Sequence, residues 1–248
     1  MNIRHSGIIV IAVLILIGIA ILLPIYLQGR PHPTLMLSFN IVNNENIPNW
    51  CNKLFSTLQK YNIKATVFIT GELAKANPSC VSQFSTNRNI DLGSSTYSYS
   101  DLARISDYSK ALQQVRGGKM AVDSIGKLDS KVFRAPYGST DEKIYSILTK
   151  SGILADFSYT DQYNKYQDGQ FIKYDLIAHN GSSSPSNDFL NSLSSSSIKK
   201  PVMVVFNNSI PINQIDSFIA KIKSEIGNID FANASDLTNI PLTVRSEA

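Results

Sequence analysis

Few residues of this chain have side chains that could act together as an acid, a base, a nucleophile or a metal ligand. The chain contains three histidines, His5, His32 and His179. The first two flank a long apolar run near the N-terminus, so we do not expect either to join His179 in a site. We interpret His179 as a loop or core residue in preference to a catalytic residue. A serine nucleophile is also disfavoured, because the serines near strand ends have neither a histidine base nor a G-x-S-x-G turn: Ser38, Ser94, Ser95 and Ser98.

Strand patterns alternate with helical patterns along most of the chain, which predicts an α/β domain with a largely parallel sheet. The strand patterns cover 34–40, 63–69, 89–93, 131–138, 153–159, 201–207 and, as the last strand, 229–233. Helical spacing covers 44–61, a segment from Glu72 that Asn77-Pro78 interrupts, 106–125, 140–150 and 212–226. We expect Ser139 to cap the helix over 140–150. The serine-rich stretch 182–197 predicts one short helix at most.

The carboxyl ends of the predicted strands are where a ligand is expected in such a fold. They fall at 39–42, 70–71, 93–95, 134–138, 159–161 and 206–208. Five tyrosines lie near these ends, where packing in the walls is favoured over stacking on sugar rings: Tyr97, Tyr99, Tyr137, Tyr159 and Tyr163.

Two stretches resemble the NodB-homology domain of the polysaccharide deacetylases. One is YNIKATVFITGELAKANPSCVSQFSTNRNIDLGSSTYSYSDL at 61–102, and the other is FRAPYG at 133–138, which is similar to the third motif of that family. The similar motifs follow the family's order over 34–237. The resemblance implies a distorted (β/α) barrel, a divalent metal that is usually zinc, and removal of N-acetyl groups from glycans such as peptidoglycan or chitin.

The same resemblance implies that the metal ligands of the family have been replaced. The family holds its metal with one aspartate and two histidines, and leaves a position open for water. The motif Thr-Phe-Asp-Asp-Gly falls on 38–42 and puts Ile41 at the first ligand position. The motif His-Thr-x-x-His falls on 95–99 and puts Ser95 and Tyr99 at the other two. Isoleucine has no donor atom, and neutral serine and tyrosine are poor zinc ligands, so we predict no metal cofactor.

The acid and the base that the family uses are also replaced. The first motif puts Asn40 at the position of the catalytic base, and the fifth motif, Leu-His-Asp, falls on 206–208 and puts Asn207 at the position of the acid. An amide neither accepts nor releases a proton near neutral pH. We therefore predict that the chain has no intact catalytic residue. The fourth motif is indistinct, with Asp156 or Asp161 in its region.

The third motif remains, and we predict that Arg134, Pro136 and Tyr137 contact the ligand. In the family this arginine orients the catalytic aspartate, and the backbone N–H of the tyrosine helps to hold the oxyanion. Because a buried unpaired arginine is costly, we expect Arg134 to pair with another acid, with Asp161 as a candidate, or to turn to solvent or ligand. As the explanation for why this motif is present, a role in shaping the strand and its turn is slightly favoured over ligand contact.

The N-terminal segment predicts membrane attachment. Residues 7–27 read GIIVIAVLILIGIAILLPIYL, carry no charge and have about the length needed to span a bilayer. A cleaved signal peptide is the alternative, but its apolar region would be shorter. We predict a single-pass signal-anchor within 1–30, followed by a deacetylase-like domain over 31–248 on the outer side of the cell membrane.

Composition and cysteine content limit the possible classes of protein, partner and disulfide state. Hydrophobic residues make up 43% and charged residues 17%, which is typical of a folded domain. The net charge of +4 is too small to indicate a nucleic-acid partner. Cys51 and Cys80 are interpreted as two thiols, with a disulfide as the alternative outside the cell.

Three functions are compatible with these features. We favour an inactive, membrane-anchored relative of the deacetylases that binds or scaffolds carbohydrate at the cell surface. One alternative is a hydrolase of carbon–nitrogen (non-peptide) bonds that deacetylates a glycan by an altered mechanism, using Asp156, Asp161 or Asp91. The other is a protein-interaction subunit of a membrane complex. The expected partners are therefore the membrane and either a cell-surface glycan or a membrane protein.

Overall fold

The structure is a computed structural model that describes residues 32–43, 45–138, 140–159, 161–181, 184–194 and 200–245. The predicted anchor at 7–27 and the predicted helix cap Ser139 lie outside the described residues. Among the described residues, no helix has the length and apolar character that crossing a membrane requires.

The strands of the described residues form one large barrel-like sheet and a small second sheet. They are β1 (Thr34–Ile41), β2 (Ala65–Ile69), β3 (Ile90–Ser94), β4 (Leu128–Ser130), β5 (Val132–Phe133), β6 (Ala155–Asp156), β7 (Gln162–Gln167), β8 (Gln170–Asp175), β9 (Ile177–Asn180), β10 (Val202–Asn207), β11 (Asp230–Ala232) and β12 (Thr243–Arg245). The large sheet has the order β8-β7-β6-β5-β3-β2-β1-β10-β9, and β11 pairs with the start of β1. β12 and β4 make the small antiparallel sheet.

Helices cover the outside of the large sheet. They are α1 (Ile47–Tyr61), α2 (Gly71–Ala76), α3 (Pro78–Ser85), α4 (Tyr108–Gly126), α5 (Glu142–Lys150), α6 (Asn187–Ser194), α7 (Ile212–Ile226) and α8 (Ala234–Thr238). The predicted helices are thereby confirmed, including the break at Asn77-Pro78. The fold is an α/β fold whose sheet agrees with the barrel that the resemblance implies.

The side chains of β1 point alternately to the two faces of the large sheet. Leu35, Leu37, Phe39 and Ile41 join the core cluster that contains helix residues of α1 and α7. Met36 belongs to a second cluster on the inner side of the sheet. Because successive side chains of a strand point to opposite faces, neighbours in the sequence near the end of β1 face the helical core and the barrel interior in turn.

The prediction of a largely parallel sheet is confirmed for the neighbouring strands β6, β5, β3, β2, β1, β10 and β9. By contrast, β7 pairs antiparallel with both β6 and β8. The sequence prediction missed β7 and β8. Their turn is Asp168-Gly169, with φ of 51° and 91°, and an Asp-Gly pair between two strand-like runs is a strong hairpin signal. The expectation that 229–233 is the last strand is wrong as well, since β12 follows it.

Two local predictions are corrected by contacts in the structure. The cap of α5 is Asp141, whose side chain accepts a hydrogen bond from Ile144 N at 2.8 Å, because α5 begins two residues later than predicted. Cys51 of α1 and Cys80 of α3 form a disulfide with a Cα–Cα distance of 5.5 Å. The favoured interpretation of two thiols was therefore wrong, and the alternative holds.

Candidate functional site

A cleft opens at the carboxyl ends of the parallel strands, where the pattern predicted a site. Its cavity volume is about 130 Å³. Seven of the eight residues that the sequence singled out line it: Asn40, Ile41, Ser95, Tyr99, Arg134, Pro136 and Tyr137. The eighth, Asn207, contacts one of them directly.

Asn40 and Asn207 meet because β1 and β10 run side by side in parallel, with these two residues in register. Both side chains therefore point to the same face of the sheet, and Asn40 Nδ2 lies 3.4 Å from Asn207 Oδ1. The positions that the resemblance assigns to the base and the acid are thus occupied by two amides that contact each other. Neither amide exchanges protons near neutral pH.

Arg134 is buried at the base of the cleft and donates only to neutral groups. Its Nη1 donates to Ser38 Oγ at 2.7 Å and to Asn40 Oδ1 at 3.0 Å, and its Nε donates to Phe157 O at 2.8 Å. Its Nη2 lies 3.0 Å from Met203 Sδ, which is a weak acceptor. The expectation that Arg134 pairs with Asp161 or turns to solvent is therefore wrong. Neutral acceptors on β1, on β10 and at the residue after β6 surround the guanidinium instead.

The acid that attracts Arg134 electrostatically is Asp156, at the end of β6. Burial lowers the pKa of Arg134 to about 9, and the attraction of Asp156 partly opposes that shift. Burial likewise raises the pKa of Asp156 to about 6, against hydrogen bonds from Ser158 and Thr140 that lower it. Asp156 accepts from Thr140 Oγ1 at 3.1 Å and from Ser158 N at 3.0 Å. Both shifts have the same cause, namely the removal of a charged group from water.

The residues at the three metal positions do not fit a zinc ion. Ile41 is fully buried in the helical core and has no donor atom. Ser95 and Tyr99 carry neutral hydroxyls, and burial, with a smaller contribution from Tyr137, raises the pKa of Tyr99 further above its ordinary value. A raised pKa disfavours the phenolate that would bind a metal. Among the described residues, no group of three or more His, Cys, Asp or Glu side chains is arranged to hold a metal.

Two tyrosines form the mouth of the cleft in an unusual backbone conformation. Tyr99 has φ 48° and Tyr137 has φ 61°, both in the left-handed region that bulky residues rarely adopt. The centroids of their rings lie 5.4 Å apart, and Tyr137 is 70% exposed. Strained backbone of this kind is found preferentially at functional sites.

Asn208 is a residue that the sequence prediction missed. Its Oδ1 accepts from Val42 N at 3.0 Å and from Asn43 N at 3.2 Å, and its Nδ2 donates to Asn43 O at 2.9 Å. It therefore fixes the loop that follows β1 to the end of β10. The nearest signal was its place directly after a strand, next to Asn207.

Of the other tyrosines that the sequence singled out, Tyr159 also lines the cleft. Tyr97 and Tyr163 lie outside the cleft lining: Tyr97 packs against Gly71 and Gly117 of the helices, and Tyr163 donates to Leu237 O at 3.0 Å. His179 packs edge-on against Phe189, and partial burial lowers its pKa.

Comparison with known proteins agrees with the fold. The model of the family described as "Polysaccharide deacetylase" matches residues 28–155, just over half of the chain. A bifunctional xylanase/deacetylase from Pseudobutyrivibrio xylanivorans is 27% identical over 94 residues, which are 38% of this chain and 15% of that protein. The chain thus matches only a small part of that relative.

Solved structures share the fold at low sequence identity. A CE4 family pseudoenzyme from Bacillus anthracis is 15% identical, with a TM-score of 0.59 over 85% of this chain and 66% of that one. A peptidoglycan deacetylase from Bacillus subtilis is 15% identical, with a TM-score of 0.59 over 85% and 92%. A family 4 carbohydrate esterase from Streptomyces lividans is 15% identical, with a TM-score of 0.59 over 88% and 98%. The extent of the family match, on a fold of this type, means that the chain belongs to the polysaccharide deacetylase family.

Proposed function

We propose that this protein is a membrane-anchored, catalytically inactive member of its family that binds carbohydrate at the cell surface. The observation that carries the proposal is the contact between Asn40 and Asn207, at the positions of the base and the acid. Amide hydrolysis needs one group that takes a proton from water and one that gives a proton to the leaving amine. Two amides in contact can do neither.

The chemistry of the cleft lining supports inactivity. The described residues that line it include one charged side chain, Arg134, and no carboxylate or histidine. A structural neighbour of this fold is itself a pseudoenzyme. The donors left in the cleft are suited to binding a polar ligand.

The exposed aromatic pair supports a sugar as that ligand. Tyr99 and Tyr137 line the cleft and are both partly exposed, and amphipathic rings of this kind combine an apolar face with a polar edge. A sugar ring has the same combination of C–H faces and hydroxyl edges. Tyr137 is 70% exposed, so its ring is available to a ligand.

A position outside the cell agrees with the disulfide and with the apolar N-terminal segment. Disulfides persist in oxidising compartments and are rare in the cytosol of most organisms. The disulfide between Cys51 and Cys80 therefore supports an extracytoplasmic domain, which the anchor predicted at 7–27 would tether.

The alternative, hydrolysis by an altered mechanism, has weaker support. Asp156 has the raised pKa that a general acid or base needs, but it is fully buried and does not line the cleft. Asp91 is buried against Ser235 N at 2.6 Å, and Asp161 is exposed outside the cleft lining. None of the three acids is among the residues that line the cleft.

The test uses the full chain, purified in a non-ionic detergent whose headgroup is not a sugar. Binding of chitin oligomers and release of acetate are measured with and without added zinc. We expect binding without acetate release. Acetate release that depends on metal would contradict inactivity, and the absence of binding to every glycan tested would contradict the carbohydrate-binding role.

A variant in which the residues typical of the family are put back at the replaced positions provides a positive control for zinc binding. A mutant of the Bacillus anthracis pseudoenzyme has restored enzymatic activity, which suggests the same approach here. The variant carries five changes together: Asn40→Asp, Ile41→Asp, Ser95→His, Tyr99→His and Asn207→His. We expect it to bind zinc where the unaltered chain does not. Equal zinc content in both would mean that the metal positions were assigned wrongly.

A further inference from the structure

We propose that the cleft selects a ligand with a negative charge, namely a sugar residue that carries a carboxylate, and that Arg134 and Asn40 hold it. This inference rests on the proposed function and names its ligand class. The missing carboxylate at position 40 is then supplied by the ligand and not by the protein.

The first step is the unbalanced charge of Arg134. Among the described residues, the ion pairs involve other cations, and Arg134 takes part in none of them. Its acceptors are a hydroxyl, an amide oxygen, a carbonyl oxygen and a thioether. Its guanidinium also stacks on the ring of Phe68, 4.4 Å from the centroid. These groups orient the cation, but none of them neutralises it.

The second step is that the nearby acid does not face the ligand. Asp156 attracts Arg134, yet it is fully buried, absent from the cleft lining and bonded to Thr140 and Ser158. Arg134 does line the cleft. A ligand entering the cleft therefore meets the cation, and it meets no carboxylate among the described lining residues.

The third step is the weak hydrogen bond of Asn40. Its Oδ1 already accepts from Arg134, but its Nδ2 donates only a long hydrogen bond of 3.4 Å to Asn207 Oδ1. A carboxylate oxygen is a stronger acceptor than an amide oxygen and would take that donor. The Nη1 and Nε donors of Arg134 are already occupied, so its Nη2, whose acceptor is the weak thioether of Met203, and the Nδ2 of Asn40 are the two donors offered to one carboxylate. An aspartate at position 40 would instead repel the ligand and satisfy Arg134 internally.

The experiment measures binding of three probes to the full chain in the same sugar-free detergent: glucuronate, the neutral methyl glucoside, and acetate. The decisive variant is Asn40→Asp, which adds one negative charge 3.0 Å from Arg134. The matched control is Asn52→Asp, which adds the same charge at an exposed position of α1. A second variant, Asn207→Asp, adds the charge next to Asn40 without replacing any partner of Arg134. It keeps the test decisive if Asn40→Asp folds poorly, which the fluorescence of Trp50 reports.

We expect glucuronate to bind roughly tenfold or more tightly than methyl glucoside, and Asn40→Asp to remove that preference while Asn52→Asp keeps it. Equal binding of the acidic and neutral sugars would overturn the inference and leave the carbohydrate-binding role intact. Acetate binding that Asn40→Asp abolishes, without binding of any sugar, would support the anion site and overturn the carbohydrate-binding role. No binding of any probe would overturn both.

Discussion

The two faces of β1 differ in what surrounds them, although their residues alternate along one strand. The outer face, which ends at Ile41, is fully buried among hydrocarbon side chains of the helices. The inner face, which carries Ser38 and Asn40, meets the buried guanidinium of Arg134. The outer face has the chemistry of an ordinary protein core, and the inner face keeps buried polar groups that a core does not need.

Burying a charged group is energetically unfavourable, and the buried charge of Arg134 lies near the end of β1 that opens into the cleft. Burial shifts the pKa of Arg134 down and that of Asp156 up, so both charged forms are disfavoured by the fold. Replacing buried charged pairs with apolar residues is often neutral or stabilising. The burial of Arg134 on the inner face is therefore better explained by the ligand that we propose than by folding.

The largest effect is expected when a charge is placed on the outer face. Ile41→Asp buries a carboxylate without a partner and should lower the free energy of unfolding by about 3 to 5 kcal/mol. Asn40→Asp, one residue earlier, pairs with Arg134 and should change it by less than about 1 kcal/mol at pH 7. Urea unfolding of the full chain, followed by the fluorescence of Trp50, measures both. Similar losses for the two variants would mean that the faces do not differ.

A smaller effect is expected from Asp156, the buried acid at the end of β6, which the strand register places on the same side of the sheet as Ile41. Because Asp156 has a pKa near 6 in the folded chain against an ordinary value of 3.8, the folded state binds a proton between these pH values and the unfolded state does not. Its contribution to stability therefore falls as pH rises from about 4 to 6, by on the order of 2 to 3 kcal/mol. Asp156→Asn should remove this dependence and raise stability at pH 7.

Urea unfolding at pH 4, 5, 6 and 7 tests this second prediction. The difference between Asp156→Asn and the unaltered chain should be close to zero at pH 4 and largest at pH 7. A variant that is less stable than the unaltered chain at pH 7 would show that the carboxylate supports the fold, and would contradict this prediction.

The smallest effect is expected at the mouth of the cleft, where Tyr137 has φ 61°. Glycine adopts this backbone region without strain, whereas alanine does not. Tyr137→Gly should therefore be more stable than Tyr137→Ala by about 1 kcal/mol, and both should bind chitin oligomers more weakly because the exposed ring is lost. Thermal unfolding and binding titrations measure the two effects. Unchanged binding in both variants would remove Tyr137 from the site.

Much of the fold could be predicted from the sequence because its signals are local. The helix over 212–226 follows directly from apolar spacing, and α7 has the same bounds. The hairpin turn Asp168-Gly169 was equally readable, and its omission is a missed signal. The cap Asp141 was missed because a serine and an aspartate with similar capping ability lie two residues apart.

The sequence alone determined which side chains stand at the ends of the strands, and from them the loss of acid, base and metal-binding groups could be predicted. Only the tertiary structure decided what those side chains touch. Arg134 and Ser38 are 96 positions apart in the chain, and Cys51 pairs with Cys80 across two helices. Such partners are chosen by strand register and helix packing over long separations, which no local pattern of residues specifies.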